Sequence, residues 1–91
     1  MPSAGHFERE RLPDPRRYFE REGFLLLGRG AWRTALCCFH EDSRPSLRVN
    51  AATGAYRCMA CGAKGGDVLA FHRARHGLGF VQAARDLGAW I

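Results

Sequence analysis

Four residues with metal-binding side chains occur in two closely spaced pairs. Two residues separate Cys37 from His40, and two separate Cys58 from Cys61. A gap of two residues lets a tight turn aim both side chains at one ion, and tetrahedral Zn²⁺ takes four such sulfur and nitrogen ligands. We therefore predict that Cys37, His40, Cys58 and Cys61 bind one structural zinc ion and leave no coordination position open for a catalytic water.

Two other interpretations of the cysteines stay open at this point. In the first interpretation, the four cysteines are free or buried thiols. In the second, Cys58 and Cys61 form a redox Cys-x-x-Cys motif. The redox motif is disfavoured because no βαβ pattern surrounds it. Cys38 is a further possible ligand, but it leaves only Phe39 before His40, which is too short a gap for two ligands on one turn.

The remaining histidines and the acidic residues near the first pair are assigned no metal. His72 and His76 lie one helical turn apart but lack two further partners, and His6 is remote from them in the sequence. Glu41 and Asp42 are interpreted as solvated loop residues rather than as catalytic groups.

A β-hairpin is needed to bring the two pairs together. Residues 46–50 and 55–59 alternate between apolar and polar side chains, as the two strands of a hairpin do. Residues 51–54 form the predicted turn, in which Gly54 takes a positive φ. Tyr56 and Cys58 then share one face of the second strand.

Further strands and helices are predicted on both sides of the hairpin. Strands are expected over residues 24–27 and 31–37, and Arg33 is assigned to an outward position beside Arg48 and Arg57, so that the three form one basic patch. Helices are expected over residues 14–22, 68–76 and 80–87. Asp14 caps the first, with Pro15 at its first position, and Asp67 caps the second, which Gly77 ends. The apolar side of the third consists of Phe80, Val81, Ala84 and Leu87.

These elements predict an α+β fold, an antiparallel sheet with short flanking helices. We expect a flexible N-terminal arm over residues 1–13 and one domain over residues 14–91. The chain has 91 residues, and domains of this size usually add a metal, disulfides or an oligomer interface to a marginal core.

The charge favours an acidic partner. The net charge is +5, and Lys64 is the single lysine among the fourteen basic residues. Arginine pairs with phosphate in a bidentate manner and stacks on flat rings, which fits nucleic acid. The apolar runs are shorter than the ~20 residues of a membrane helix, and the N-terminus lacks the apolar stretch of a secretory signal. We therefore expect a cytoplasmic protein without a membrane partner.

The run from Cys37 to Val49 resembles the zinc-binding domain of bacterial DnaG-type primases. That family carries Cys-Pro-Phe-His, an acidic residue, Pro-Ser-Phe and Val, then an aromatic residue before Cys-x-x-Cys-Gly and a Gly-Asp that opens a helix. The matching later positions here are Tyr56, Cys58, Cys61, Gly62, Gly66, Asp67 and Phe71. The resemblance covers about residues 14–88. Cys38 stands where the family usually has proline and Leu47 where it has phenylalanine, but neither change removes a ligand.

The resemblance implies a zinc-ribbon domain that engages single-stranded template DNA in primer synthesis. It also implies partners, namely a separate primase catalytic domain, a helicase or another replication protein. The chain is expected to be non-catalytic on its own, because it has no room for the acidic cluster of a primase catalytic domain. The candidate DNA contacts are Arg33, Arg44, Arg48, Tyr56, Arg57 and Lys64.

The alternative function is a protein-interaction zinc ribbon that acts as an adaptor for a replication or transcription enzyme. Its docking residues would be the apolar side chains near the C-terminus, Phe80, Leu87, Trp90 and Ile91.

Overall fold

A computed structural model describes residues 5–91. One antiparallel sheet runs in the order β1-β2-β3-β4, which confirms the predicted α+β architecture. The strands are β1 Trp32–Ala35, β2 Leu47–Asn50, β3 Tyr56–Cys58 and β4 Lys64–Gly65. The helices are α1 Pro15–Arg21, α2 Val68–His76 and α3 Phe80–Asp86, and a short 3-10 helix spans Arg9–Arg11.

The helix signals in the sequence are confirmed. The carboxylate of Asp14 accepts a hydrogen bond from the backbone N–H of Arg17 at 3.1 Å and caps α1. Asp67 caps α2 in the same way, since its carboxylate accepts from the N–H of Ala70 at 2.8 Å. Gly77 ends α2 in the left-handed conformation at φ 65°, which only glycine adopts without strain.

The turn between β2 and β3 is fixed by one side chain and one glycine. The amide oxygen of Asn50 accepts hydrogen bonds from the N–H groups of Ala52 at 2.9 Å and Thr53 at 3.0 Å. Gly54 has a φ of 84°, and a Cβ there would lie 2.9 Å from the backbone nitrogen of Val68. The turn therefore requires glycine for its conformation and for the close approach of α2.

Phe71 on α2 is the centre of the core. Its ring is fully buried, and it makes edge contacts with the rings of Phe19 and Tyr56 at centroid distances of 4.7 and 4.9 Å. Phe24 and Phe39 each lie 5.5 Å from it. The ring thus joins α1, the sheet and the loop that follows β1, so the elements around the cysteines and the helices share one core.

One strand prediction is wrong, and the sheet contains one strand that the sequence did not predict. Residues 24–27 form no ladder strand; Leu27 alone makes an isolated bridge, to Thr34, while Leu25 is 74% exposed. Residues 64–65, to which the sequence assigns no strand, form β4 and pair with β3. Gly65 permits this pairing because a Cβ there would approach the ring of Tyr56 to 2.5 Å.

The apolar side of α3 also differs from the prediction. Ala83 and Ala84 are its buried residues and pack on Leu69 of α2, whereas Phe80 and Val81 are 40% and 38% exposed. Small side chains at the contact let the two helices approach closely, so the larger residues at the start of α3 lie at the edge of the interface.

Residues 5–12 pack against the C-terminal end of the chain. Phe7 forms an antiparallel bridge with Trp90, and the N–H of Ile91 donates to the carbonyl of His6 at 3.0 Å. Residues 1–4 of the predicted arm lie outside the described part of the chain. The flexibility of the arm and the boundary at residue 14 stay predictions.

Replacing Phe71 with Ala tests the position of the core centre. We expect the variant to lose about 3–5 kcal/mol of unfolding free energy, because the change removes a buried ring and leaves a cavity. Denaturant unfolding of the zinc-loaded chain measures this loss. Phe80→Ala is the matched control and should cost much less, since that ring is 40% exposed. Equal losses in the two variants would contradict this view of the core.

Candidate metal centre

The hairpin places the two sequence pairs beside each other. Cys37 lies two residues beyond the end of β1 and His40 follows in the loop, while Cys58 ends β3 and Cys61 lies in the turn before β4. One ligand atom from each of the four lies within 4.8 Å of every other. The structure therefore brings the four predicted ligands together. Cys38 is not among them.

The spacing of these atoms fits tetrahedral zinc. The sulfurs of Cys37 and Cys61 are 4.0 Å apart, and the sulfur of Cys58 lies 3.4 Å from Nε2 of His40. Ligands at zinc bond lengths of ~2.3 Å for sulfur and ~2.0–2.1 Å for nitrogen stand about 3.8 and 3.5 Å apart at tetrahedral angles. Three thiols and one imidazole form a closed structural ligand set, so one structural Zn²⁺ fits here.

Backbone groups orient the ligands. Nδ1 of His40 donates to the carbonyl of Glu41 at 2.8 Å, so Nε2 carries the free electron pair and faces the sulfur of Cys58. The N–H of Cys61 donates to the Cys58 sulfur at 3.3 Å, and the N–H of Phe39 donates to the Cys37 sulfur at 3.4 Å. Such contacts fix the histidine tautomer and spread the negative charge of the thiolates.

Asp42 organises the loop that carries Cys37 and His40, which corrects its interpretation as a solvated loop residue. Its side chain is 8% exposed. One carboxylate oxygen accepts three hydrogen bonds, from the N–H of Cys37 at 2.9 Å, the N–H of Ser46 at 3.3 Å and the hydroxyl of Ser46 at 2.9 Å. Asp42 thereby ties the loop to the start of β2. Its position two residues after a ligand is the sequence signal that could have indicated this role.

The thiols of Cys37 and Cys58 differ in pKa. Burial raises the pKa of Cys37 to about 12. Burial acts in the same direction on Cys58, but hydrogen bonds from the Ser46 hydroxyl and from the N–H groups of Cys61 and Ala60 outweigh it and lower the Cys58 pKa to about 5. Cys58 therefore gives up its proton more readily than Cys37, and zinc binding through thiolates has to release the proton of Cys37.

Cys38 and the remaining histidines lie outside this group of four. Cys38 is exposed, although it directly follows a buried ligand. His6 contacts Glu8 at 2.7 Å. His72 and His76 lie on α2 and form a separate cluster with Glu22.

Three basic side chains form a row across the outer face of the sheet. The register pairs Arg48 with Arg57 and Arg57 with Lys64, and residues paired across antiparallel strands share a face. All three are exposed, and they make no ion pair with any carboxylate of residues 5–91. Trp32 is 45% exposed and lines, with Met59 and the two arginines, a shallow depression of about 260 Å³. We call these five residues the outer-face patch.

Two of the candidate DNA contacts lie elsewhere. Arg33 pairs with the buried Val49, so it lies on the opposite face from Arg48, and its Nε donates to the carbonyl of Gly30 at 2.7 Å. The predicted patch of Arg33, Arg48 and Arg57 is therefore wrong for Arg33. Tyr56 is 4% exposed, and its ring belongs to the core.

The two other candidates are exposed. Arg44 lies in the loop before β2, and Lys64 begins β4 in the row just described.

The comparison with known proteins agrees with this geometry. The sequence profile of the CHC2 zinc finger, the DnaG zinc ribbon, matches residues 24–91. The chain belongs to the CHC2 zinc-finger family. The matched region contains the four predicted ligands and the whole sheet, so the family confirms both the resemblance and the expected zinc cofactor.

Relatives with curated names include DNA primases. A primase of Lactococcus lactis is 42% identical over 52 residues, which is 57% of this chain and 8% of the relative. A primase of Thermotoga maritima is 38% identical over 58 residues, covering 64% of this chain and 10% of the relative. The Gene 58 protein of Mycobacterium phage D29 is 37% identical over 54 residues, covering 59% and 41% of the two chains. This chain thus spans less than half the length of each.

Replacing one exposed cysteine at a time tests the ligand assignment. Cys61→Ser should abolish stable zinc binding and unfold the domain, because the ~10–16 kcal/mol of structural zinc binding is largely folding energy. Zinc content by mass spectrometry and circular dichroism measure the two effects. Cys38→Ser is the matched control, since Cys38 is also exposed, and it should retain one zinc ion and the fold. Loss of zinc in the control alone would reverse the assignment.

Asp42→Ala tests whether the hydrogen bonds of Asp42 hold the loop of Cys37 and His40 in place for zinc binding. We expect zinc affinity to fall about 10–100-fold, the usual effect of removing a group that orients metal ligands. Competition with a chromophoric chelator gives the affinity. Glu41→Ala is the control, because Glu41 is exposed and carries the same charge next to the same ligand. If both variants lose affinity equally, the loss comes from negative charge rather than from the hydrogen bonds of Asp42.

Proposed function

We propose that this domain engages single-stranded template DNA through the outer-face patch and serves primer synthesis together with a catalytic domain or protein. The observation that carries the proposal is the row of Arg48, Arg57 and Lys64, which have no acidic partner among residues 5–91. Like charges directly opposite each other on a sheet are destabilising. A polyanion that lies across the strands would relieve this repulsion.

The aromatic side chain in the patch suits a single strand better than a duplex. Trp32 is 45% exposed on the same face as Arg48, and bases without a partner strand stack on such rings with ~1–3 kcal/mol per base. Arginine and lysine beside it would follow the phosphates. The bases of a duplex are stacked and paired, so they cannot stack on Trp32, and the outer-face patch would contact only the duplex backbone.

The names of the relatives support the replication role. Two of the three relatives named above are DNA primases, and the aligned segment covers a tenth or less of each. We infer that the domain makes no primers by itself and that a primase catalytic domain, a helicase or another replication protein is its partner. We place it in the cytoplasm, where bacterial DNA is replicated. No helix among residues 5–91 has the length and apolar character needed to cross a membrane.

An adaptor function is the second candidate. A cavity of about 440 Å³ is lined in part by Leu25, Leu27 and Leu36, which are 74%, 43% and 51% exposed. Exposed apolar surface of this kind fits a protein partner. By contrast, the C-terminal residues Leu87 and Trp90 pack partly against the rest of the chain. An adaptor would form a stable complex with a replication or transcription enzyme and show no affinity for single-stranded DNA.

The decisive experiment compares two charge-matched double variants in a DNA-binding assay. Arg48→Ser with Arg57→Ser should weaken binding of a labelled single-stranded oligonucleotide and reduce the salt slope by about 0.7 for each phosphate that the variant no longer neutralises. Fluorescence anisotropy of the zinc-loaded chain over a salt series measures both quantities.

Arg16→Ser with Arg85→Ser is the control, because both residues are exposed on helices and the net charge falls by the same amount from +5. It should bind nearly as the unaltered chain does. Equal losses in the two double variants would show that net charge, and not the outer-face patch, governs binding. No binding of single strands by the unaltered chain at low salt would refute the proposal.

A further inference from the structure

A second group of potential metal ligands lies at the ends of α1 and α2, away from the cysteines. Glu22 caps the C-terminal end of α1, and His72 and His76 lie one turn apart at the end of α2. One ligand atom from each lies within 4.8 Å of the other two. Nε2 of His76 is 2.7 Å from a carboxylate oxygen of Glu22. Sequence spacing reveals only the pair of histidines, because Glu22 lies 50 positions before His72 and comes close to it only in the folded chain.

Two contacts fix the ring of His72 in place. It is 8% exposed, and both of its ring nitrogens have partners. Nδ1 is hydrogen-bonded to the hydroxyl of Tyr18 at 2.7 Å, and Nε2 lies 3.3 Å from a carboxylate oxygen of Asp86. A metal-bound histidine usually keeps a hydrogen bond on its second nitrogen, which fixes the ring. The nitrogen of His72 that binds the ion would exchange its present partner for the metal, and the other nitrogen would retain Tyr18 or Asp86.

Glu22 is supported in a similar way. Its side chain is 20% exposed, and Nε of Arg75 lies 3.7 Å from the same oxygen that contacts His76. The positive charge of Arg75 opposes a nearby cation. It also holds the carboxylate in place, and carboxylate ligands of metals are commonly held by such neighbours. Three potential ligand side chains converge at this one place, and two of them, His72 and Glu22, have contacts outside the group.

We propose that Glu22, His72 and His76 bind a second divalent transition-metal ion, Zn²⁺ in the first instance. Two histidines at i and i+4 on one helix face are a known zinc-binding arrangement, and a carboxylate completes a three-residue set that leaves one position for water. Imidazole and carboxylate together favour zinc and its first-row neighbours over Mg²⁺ or Ca²⁺. The ion would link the end of α1 to the end of α2. This site does not depend on DNA binding.

Metal stoichiometry tests the proposal directly. The full chain, purified with zinc and dialysed against buffered free Zn²⁺, should carry two ions per chain by mass spectrometry. Co²⁺ distinguishes the sites spectroscopically, since only the cysteine site gives sulfur-to-metal charge-transfer bands. A second equivalent of Co²⁺ should add d–d absorption without increasing those bands. One ion per chain at saturation would overturn the proposal.

Glu22→Gln and His76→Asn should each lose the second equivalent and keep the first. His6→Asn is the matched control, because His6 contacts Glu8 at the same 2.7 Å distance but has no second histidine beside it. It should bind two ions. Of Tyr18→Phe and Asp86→Asn, the variant that removes the partner of the nitrogen not bound to the ion should weaken the second site about 10–100-fold, and the other should not. Retention of the second equivalent in both Glu22→Gln and His76→Asn would place that ion elsewhere and refute this assignment.

Discussion

The pairing register of β2 with β3 is the constraint on which the rest of the molecule depends. It places Leu47 opposite Cys58 and Arg48 opposite Arg57. Side chains alternate between the two faces of a strand, so a slip of one residue would move Cys58 outward and Arg57 inward. The same register therefore closes the zinc site on the inner face and exposes the basic row on the outer face. Zinc binding and the proposed DNA contact share one structural cause.

Zinc and the core act together on this register. The hairpin alone is short, and short two-stranded hairpins are marginal in water. Its inner face carries Leu47, Val49 and Tyr56, which pack in one cluster with Phe71 of α2. The ion joins Cys58 to Cys37 on the chain segment that follows β1, where no strand pairing reaches. Packing thus holds the middle of the sheet, while the metal holds the end at which the ladder stops.

Local patterns predicted the elements well, and non-local pairing accounts for most of the errors. The ligand spacing, the Asp67 cap and the glycine turn at Gly54 depend on residues within one or two turns of each other, so the sequence alone indicates them. The face of Arg33 depends on how β1 pairs with β2. The sequence places Arg33 outward beside Arg48, but the pairing of Arg33 with Val49 puts it on the opposite face. The cluster of Glu22 with His72 arises in the same way from helix packing.

The proposed DNA binding would explain why exposed arginines oppose each other on the sheet. Arg48 and Arg57 are directly opposed, and each lacks a carboxylate partner among residues 5–91. A surface selected for stability alone would alternate charges across the strands. The zinc site makes two opposed arginines tolerable, because the folding energy from zinc binding exceeds the repulsion between two exposed charges by a wide margin. A small domain can therefore present an unneutralised basic face without losing its fold, and the face remains available for an anionic strand.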